Sequence, residues 1–347
     1  MNLYMPVYKR IEDEVISLTS NIFFDDAQLN VYSLTIGDII IRCAVEIEAI
    51  SKELYLRLGG VEKPIDPETG KERDLYFDTD CIQLIVDKWS IDKKKLRVTH
   101  PNIFFSPQNS VLTPLHKANK RGACKWKKAY QAIKHNRTKE IKRATLESMM
   151  NALGALYILN LYYADESFWF ETPMEHRRKY ENSSQIFSPY TFDATKVSTS
   201  TETDNNAFKA LTDPSLEESI FILKYADDAY NNMQRAMCKM NIRVSMKLKR
   251  SKEYNDYIAQ HPAEENVPLS EIASRINVDY KNLFSREVWV TREAVQGLSR
   301  KEVILNKNND VYPAFSYFEF LQSDEGKAYV LHLENNPKEL ENLVILN

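Results

Sequence analysis

The chain has 347 residues, of which 43% are apolar and 27% charged, a balance that indicates a globular protein and excludes a disordered one. This length allows two domains of ordinary size. The net charge of −3 excludes a general polycation, and only 8 glycines argue against all-β sandwiches and Gly-dependent nucleotide-binding folds.

Residues 36–58 contain the clearest predicted helix, because apolar side chains recur at spacings of three and four. Thr35 and Asp38 are spaced as a capping box, and Gly59-Gly60 should end the helix. On the outer face, the pattern predicts ion pairs Arg42–Glu46 and Glu48–Lys52 at i,i+4.

In the middle of the chain, the sequence predicts loops followed by a long helical stretch. Turns or short extended segments are predicted at residues 61–80 and 98–116, and the apolar run 81–86 fits either a helix or a strand. Residues 124–163 predict one long helix or two joined helices, apolar on all sides beyond Ala144. Gly154 should mark the close approach of another helix.

The second half predicts a different organisation. Residues 171–212 are polar and read as a linker or surface excursion. Helices are expected at 215–250, after Pro268 and at 315–332, with strands at 287–291 and 301–306. The fold class predicted is mainly α: a helical domain at 1–170 and, at 213–347, a mostly helical C-terminal region with a small β element.

Several features predict a cytoplasmic protein without a membrane segment. The four cysteines, Cys43, Cys81, Cys124 and Cys238, are widely separated and form no CxxC pair, as expected of reduced thiols. The N-terminus has no signal-like apolar core. The most apolar run, Ala152 to Tyr163, is shorter than the roughly 20 residues that span a bilayer, so a buried helix is expected there.

The charge is concentrated in one segment, Lys117 to Arg143, which we call the basic segment. It holds eleven basic residues and one acidic residue, Glu140, a net charge of +10. A polyanion would relieve the repulsion between these cations, and the phosphates of a nucleic acid are the obvious candidate. The predicted contact residues are Lys120, Arg121, Lys127, Lys128, Tyr130, Lys134, Asn136, Lys139 and Arg143.

Trp126 and Tyr130 lie among these cations, at i and i+4 on one helical face. Two interpretations remain open. The rings could stack on unpaired bases, or they could anchor the helix to the core while the lysines line a solvated face.

His135 and Arg137 are the candidate catalytic residues. In metal-independent RNA cleavage, a base removes the 2′-OH proton and a cation stabilises the charged phosphate of the transition state. One His and one Arg are a minimal set for this chemistry. Residues i and i+2 diverge on a regular helix, and a structural role for a lone His at a helix end is the alternative.

These residues carry a resemblance to a known family. The early helix with Arg42, Glu46 and Glu48, the run Trp126…Tyr130…Lys134-His135-Asn136-Arg137, and the apolar helix to Tyr163 resemble the HEPN superfamily over roughly residues 30–165. The resemblance implies a helical bundle, a homodimer, and metal-independent endoribonuclease activity in antiphage defence or a toxin system. It gives Arg42 and Glu46 supporting roles.

The family motif is Arg-x(4–6)-His, and no arginine precedes His135 at that spacing; Lys128 lies seven residues before it and Arg137 follows it. The expected function is therefore binding of RNA or another polyanion, with RNA cleavage as a further expectation. The alternative is a non-enzymatic helical interaction module whose basic face docks an acidic protein.

Other motifs are missing from the sequence. No P-loop, hydrolase elbow, zincin or dinucleotide-binding fingerprint occurs, so no cofactor is predicted. Asp74, Asp78 and Asp80 lack the spacing of a calcium loop and are expected in a solvated loop, with no metal site. Smaller basic clusters lie at 176–179 and 239–252.

Overall fold

A computed structural model describes residues 2–120, 122, 124–166, 183–196, 215–278, 300–309 and 317–340, together with the backbone of one strand at Phe168–Phe170. The protein is mainly α-helical with small β elements, which confirms the predicted fold class. The chain divides into two compact units: Met1–Lys224 with Glu302–Val311, and Tyr225–Lys301 with Tyr312–Asn347.

Among its described residues, the first unit contains five α-helices and several short strands. The helices are α1 (Tyr4–Leu18), α2 (Leu34–Arg57), α3 (Gln83–Trp89), α4 (Lys125–Glu140) and α5 (Leu146–Ala164). Helices α1, α2 and α4 each pack on α5, and α2 also contacts α1 and α4. This places the core of the unit around one central helix.

Helix α5 is buried along nearly its whole length, as its apolar sequence predicts. Thr145 caps its start by accepting a hydrogen bond from the Ser148 N–H at 3.2 Å. The side-chain nitrogen of Asn160 donates back to the Leu156 carbonyl at 2.9 Å, whereas the buried side-chain oxygen of Asn160 accepts no hydrogen bond within the described residues. Within the described residues, no helix is both long and apolar enough to cross a membrane.

Helix α2 has the predicted extent but not the predicted cap. Ser33, not Thr35, is the N-cap and accepts a hydrogen bond from the Ile36 N–H at 3.1 Å. Its end is as predicted, because Gly59 takes a positive φ of 89° that side-chain-bearing residues rarely adopt. The predicted pair Arg42–Glu46 is wrong: Arg42 binds both carboxylate oxygens of Glu14 on α1.

The stretch predicted as one or two helices is two helices, joined by a 3-10 turn at Ile141–Arg143. Gly154 does mark a close approach, but the neighbour is not a helix. A Cβ on Gly154 would lie 3.0 Å from the Pro114 ring and 3.3 Å from Leu96, so a loop and a strand press on α5 here.

The strands of this unit that the structure describes form three small sheets. They are β1 (Phe24–Asp25), β2 (Leu96–Val98), β3 (Ile103–Phe104), β4 (Val111–Leu112), β5 (Phe168–Phe170), β6 (Phe187–Pro189), β7 (Thr191–Asp193), β8 (Phe221–Tyr225) and β9 (Lys301–Leu305). The pair β1–β3 is parallel, β2 lies between antiparallel β4 and β6, and the third sheet has the order β5-β9-β8-β7.

Three local expectations change in this unit. The ambiguous run 81–86 is helical, as a π-helix at Phe77–Ile82 that continues into α3. The start of the helix predicted at 215–250 is a 3-10 turn and strand β8. Within the polar stretch 171–212, residues 183–196 contribute β6, β7 and the buried side chains Ile186, Phe187 and Phe192; the rest of that stretch lies outside the described residues.

The second unit is helical, with α6 (Asp227–Lys249), α7 (Lys252–Gln260), α8 (Leu269–Arg275), α9 (Tyr317–Gln322) and α10 (Asp324–Asn335). The single helix predicted at 315–332 is interrupted at Ser323, whose hydroxyl caps α10. The strand predicted at 301–306 is β9, and the one predicted at 287–291 lies outside the described residues.

All four cysteines are free and buried. Burial raises the pKa of the Cys43 thiol to about 12 and that of Cys81 to about 11. These thiols are therefore protonated at neutral pH and poor nucleophiles, as expected of side chains that only fill the core.

Lys94 is an unusual member of the core of the first unit, because its side chain is fully buried. Its ammonium donates to the Glu217 carbonyl at 3.1 Å, which links the turn after α3 to the segment that leads into β8. Burial lowers the pKa of Lys94 to about 8. The charged form therefore costs stability in the folded state.

We expect Lys94→Met to change the pH dependence of stability. Between about pH 8 and the ordinary lysine pKa of 10.5, the unfolded chain binds more protons at this site, so the wild-type free energy of unfolding rises with pH. Relative to Lys94→Met, the rise should total about 3 kcal/mol, measured by urea unfolding at several pH values. If the difference in the free energy of unfolding between wild type and Lys94→Met does not change with pH, the lowered pKa of the buried Lys94 would be contradicted.

Candidate nucleic-acid interface

The inner face of α4 belongs to the core. Trp126, Ala129, Tyr130 and Ile133 are all buried, and the Trp126 indole N–H donates to the Pro114 carbonyl at 2.8 Å. The core interpretation of the two aromatic residues is therefore confirmed. Tyr130 cannot stack on a base as predicted, because its ring is buried and neither face of it is accessible.

Because one side of α4 packs inward, most of the cations that α4 carries lie on its other sides; the remaining cations of the basic segment precede or follow this helix. Among the described residues, four cations of the segment form ion pairs with acidic side chains: Lys125–Glu147 at 2.7 Å, Lys127–Asp78 at 2.7 Å, Arg137–Asp38 at 2.9 Å and Arg143–Glu140 at 2.5 Å. Three of the four partners come from outside the segment. The chain itself thus neutralises part of the +10 charge.

The pair Lys127–Asp78 is the least exposed of these four, with 11% and 19% of the side chains accessible. The Lys127 ammonium also lies 5.1 Å from the centre of the Phe77 ring. Burial acts to raise the pKa of Asp78, but the hydrogen bond and charge of Lys127 outweigh it and hold that pKa below its usual value. Lys127 thus binds α4 to the π-helix and is not a freely available phosphate ligand, which corrects its predicted role.

Other cations remain exposed and have no acidic partner within the described part of the chain. These are Lys117, Lys120, Lys128, Lys139 and Lys142. Lys134 is also exposed, and its ammonium donates to the Tyr130 hydroxyl at 3.3 Å. Arg121 lies outside the described residues. The exposed lysines are the part of the segment that can meet an anion.

A cleft of about 660 Å³ opens between α4, the middle of α2 and the π-helix. Its walls include Glu48, Phe77, Asp78, Lys127, Lys128 and Arg143. Glu48 does not form its predicted pair with Lys52, and burial raises the pKa of its carboxyl even though Lys134 and Lys127 act in the opposite direction. A half-buried acid in a cleft with cations is a candidate proton-transfer group.

His135 and Arg137 lie on either side of a kink. Asn136 has non-helical backbone angles (φ −149°, ψ 73°), so α4 consists of two helical pieces. The Asn136 side-chain oxygen accepts from the Lys139 N–H at 3.4 Å, as at the start of a new helix. The divergence expected for i and i+2 on a regular helix therefore does not apply to this pair, and both side chains are exposed.

The predicted supporting residues do not join this site through direct contacts. Arg42 is held by Glu14 of α1, and the hydrogen bond from Arg42 lowers the pKa of that carboxyl. Glu46 is half-buried on α2 and forms no ion pair with Arg42. Arg42 thus joins α2 to α1, and Glu46 lies one helical turn further along α2.

The three aspartates before α3 are each bound to a cation: Asp74 to Lys63, Asp80 to Arg73 and Asp78 to Lys127. Among the described residues, no three His, Cys, Asp or Glu side chains cluster closely enough to hold a metal ion. The basic cluster at 176–179 lies outside the description, and the one at 239–252 belongs largely to α6 of the second unit.

Comparison of the chain with protein-family models, with curated proteins and with solved structures finds no match. The resemblance to the HEPN superfamily therefore stays a prediction.

We expect Asp78→Asn to destabilise the first unit by roughly 2–4 kcal/mol, because it leaves the nearly buried Lys127 ammonium without its counter-charge. Asp74→Asn is the matched control, since the Lys63–Asp74 pair is exposed and should be worth little. Urea unfolding followed by tryptophan fluorescence measures both. Equal stability of the two variants would contradict the structural role assigned to Lys127.

Proposed function

We propose that this chain binds RNA or another polyanion through the exposed lysines of the basic segment. The observation that carries the proposal is the set of five exposed lysines without an acidic partner in the described chain: Lys117, Lys120, Lys128, Lys139 and Lys142. Each can neutralise one phosphate and release a counterion, which is the main source of affinity for nucleic acid.

The distribution of charge supports this proposal over a simple solvated face. Acidic side chains of α2, the π-helix and α5 already neutralise part of the segment, yet none of them pairs with these five lysines. The buried Trp126 and Tyr130 fix the first part of α4 against the core, so Lys128 stands on a rigid support. Lys139 follows the kink at Asn136, Lys117 and Lys120 precede α4, and Lys142 lies in the turn after it.

Binding is expected to follow phosphates more than bases. The aromatic rings of α4 are in the core and offer no stacking surface, so sequence preference should be weak and salt dependence strong. Phe77, at the wall of the cleft, is half-buried, and the Lys127 ammonium lies over its ring. Its contribution to base contact is correspondingly small.

We expect the fourfold variant Lys120→Ala, Lys128→Ala, Lys139→Ala and Lys142→Ala to lose RNA affinity. The slope of log K against log salt concentration should fall by about 3, because each lost phosphate contact removes about 0.7 for a single strand. Fluorescence anisotropy of a labelled single-stranded RNA over a salt series measures both quantities.

The matched control replaces four exposed lysines outside the segment: Lys71, Lys88, Lys252 and Lys327, each by alanine. It makes the same change in net charge and should keep the wild-type slope. Equal slopes for the two fourfold variants, or no RNA binding by the wild type even at low salt, would refute the proposal. Binding of polyglutamate without RNA binding would favour the alternative, a basic face that docks an acidic protein.

A second proposal concerns RNA cleavage at His135 and Arg137, in the defence or toxin setting that the HEPN resemblance implies. The kink at Asn136 favours it, because the two side chains are not held on diverging positions of one regular helix. His135 would take the 2′-OH proton as the 2′-oxygen forms a bond to phosphorus; the bond from phosphorus to the 5′-oxygen would break, and that oxygen would take a proton from water to become the 5′-hydroxyl. Arg137, now paired with Asp38, would turn to the phosphate.

This proposal predicts RNA cleavage in EDTA, with products that end in a 2′,3′-cyclic phosphate and a 5′-hydroxyl. His135→Ala and Arg137→Ala should each lower the rate at least about a hundredfold, the usual contribution of general acid–base catalysis or of one charge-stabilising group. Both should keep RNA binding within a few fold. Cleavage that survives both substitutions would refute the assignment, and loss of binding in either would indicate a binding role instead.

A further inference from the structure

Among the described residues of the first unit, the exposed phenylalanine and tyrosine side chains are Phe23, Tyr32, Tyr76 and Phe104. Phe23 and Phe104 stack on each other with their ring centres 4.8 Å apart. The Arg73 guanidinium lies 4.6 Å from the centre of the Tyr76 ring. The ring of Tyr32 has no such contact with any described residue, and Tyr32 is 53% exposed. Its ring is therefore open to a flat group from another molecule.

Tyr32 lies next to the end of the basic segment, although it is far from the segment in sequence. It forms an antiparallel β-bridge with Thr145, two residues after Arg143. Opposite Cα atoms in such a bridge lie about 4.5–5.5 Å apart, and two residues span at most about 7 Å, so the Cα atoms of Tyr32 and Arg143 lie within about 12 Å. Both side chains are long and exposed. The ring and the last cations of the segment thus share one region of the surface.

Two further contacts place the start of α2 against the same end of the segment. A Cβ on Gly37 would lie 3.2 Å from the Ile141 side chain, so this turn of α2 packs closely on the 3-10 turn that carries Lys142. The Arg137–Asp38 ion pair joins the end of α4 to the same turn of α2. An aromatic ring outside the basic segment is therefore brought beside its exposed cations.

The backbone on both sides of Tyr32 is held in place. The Val31 carbonyl accepts a hydrogen bond from the Leu146 N–H at 2.9 Å, at the start of the buried helix α5. On the other side, the Ser33 hydroxyl caps α2. A ligand that stacks on the Tyr32 ring therefore has to order little of the chain, which lowers the cost of the contact.

We propose that Tyr32 stacks on an unpaired base of single-stranded RNA, while Lys139 and Lys142 contact the phosphates beside it. The inference rests on the proposed function, and it narrows the ligand from a polyanion to a single strand. Aromatic rings beside a row of cations are the usual means of binding single strands, and stacking accepts any base, so the expected weak sequence preference is kept. An acidic protein would use the lysines and has no need of the ring.

The test compares two labelled strands of equal length, a single-stranded RNA and the same sugar-phosphate backbone without bases. Tyr32→Ala should weaken binding of the RNA roughly 5- to 150-fold, the effect of losing one stacked base. Its affinity for the strand without bases and its salt dependence should equal those of the wild type, because the phosphate contacts remain. Tyr32→Phe keeps the ring and should bind both strands as the wild type does. Fluorescence anisotropy measures each affinity.

Tyr76→Ala is the matched control, because Tyr76 is 55% exposed but its ring is already covered by Arg73. It should bind RNA as the wild type does. The stacking proposal is overturned if Tyr32→Ala binds RNA normally, if it weakens both strands equally, or if Tyr32→Phe loses as much as Tyr32→Ala. Circular dichroism checks that each variant keeps the wild-type helix content.

Failure of the proposed function gives a different result in the same assay. The fourfold lysine variant should weaken both strands, because both carry the same phosphates. If it binds both as the wild type does, the lysine assignment fails, whereas normal RNA binding by Tyr32→Ala removes only the stacking contact. A wild type that binds neither strand at low salt would overturn both.

Discussion

The structure of the first unit depends on the burial of α5 on all of its sides. An apolar helix of this kind can exist in water only if other elements cover it completely, and α1, α2, α4 and the loop at Pro114 do so. The contact at Gly154 is close enough that a side chain there would press on Pro114. Each covering helix must therefore turn one apolar face inward, and this requirement fixes which side chains remain outside.

The position of the positive charge follows from that requirement. Helix α4 buries Trp126 and Tyr130 in the core, so most of its cations lie close together on its remaining surface. Acidic residues from elsewhere in the fold pair with some of these cations: Asp78 with the nearly buried Lys127, and Asp38 with the exposed Arg137. The lysines beyond their reach keep their charge, and they form the surface assigned to polyanion binding.

Local patterns in the sequence predict much of this fold. The spacing of apolar residues predicts α2 and the buried α5, and Gly59 predicts where α2 ends, because these features depend on neighbours within a few turns. Partners distant in the chain are not predictable in this way. Arg42 fits a pair with Glu46, yet it binds Glu14 on another helix, and the cleft position of Glu48 depends on how α2, α4 and the π-helix come together. The kink at Asn136 has a local cause, because the Asn136 side chain caps the helical piece that follows it. It is hard to predict because the neighbouring residues favour a continuous helix.

The surface assigned to the polyanion is the set of exposed lysines of the basic segment, of which Lys128 and Lys139 lie on α4 and the others just before or after it. Hydrogen–deuterium exchange of the full chain with and without single-stranded RNA can locate the binding surface. We expect RNA to slow exchange in peptides that cover residues 117–143 and to leave the peptides of α1 unchanged. Slowed exchange confined to other parts of the chain, with no effect on the basic segment under conditions where RNA is bound, would contradict it.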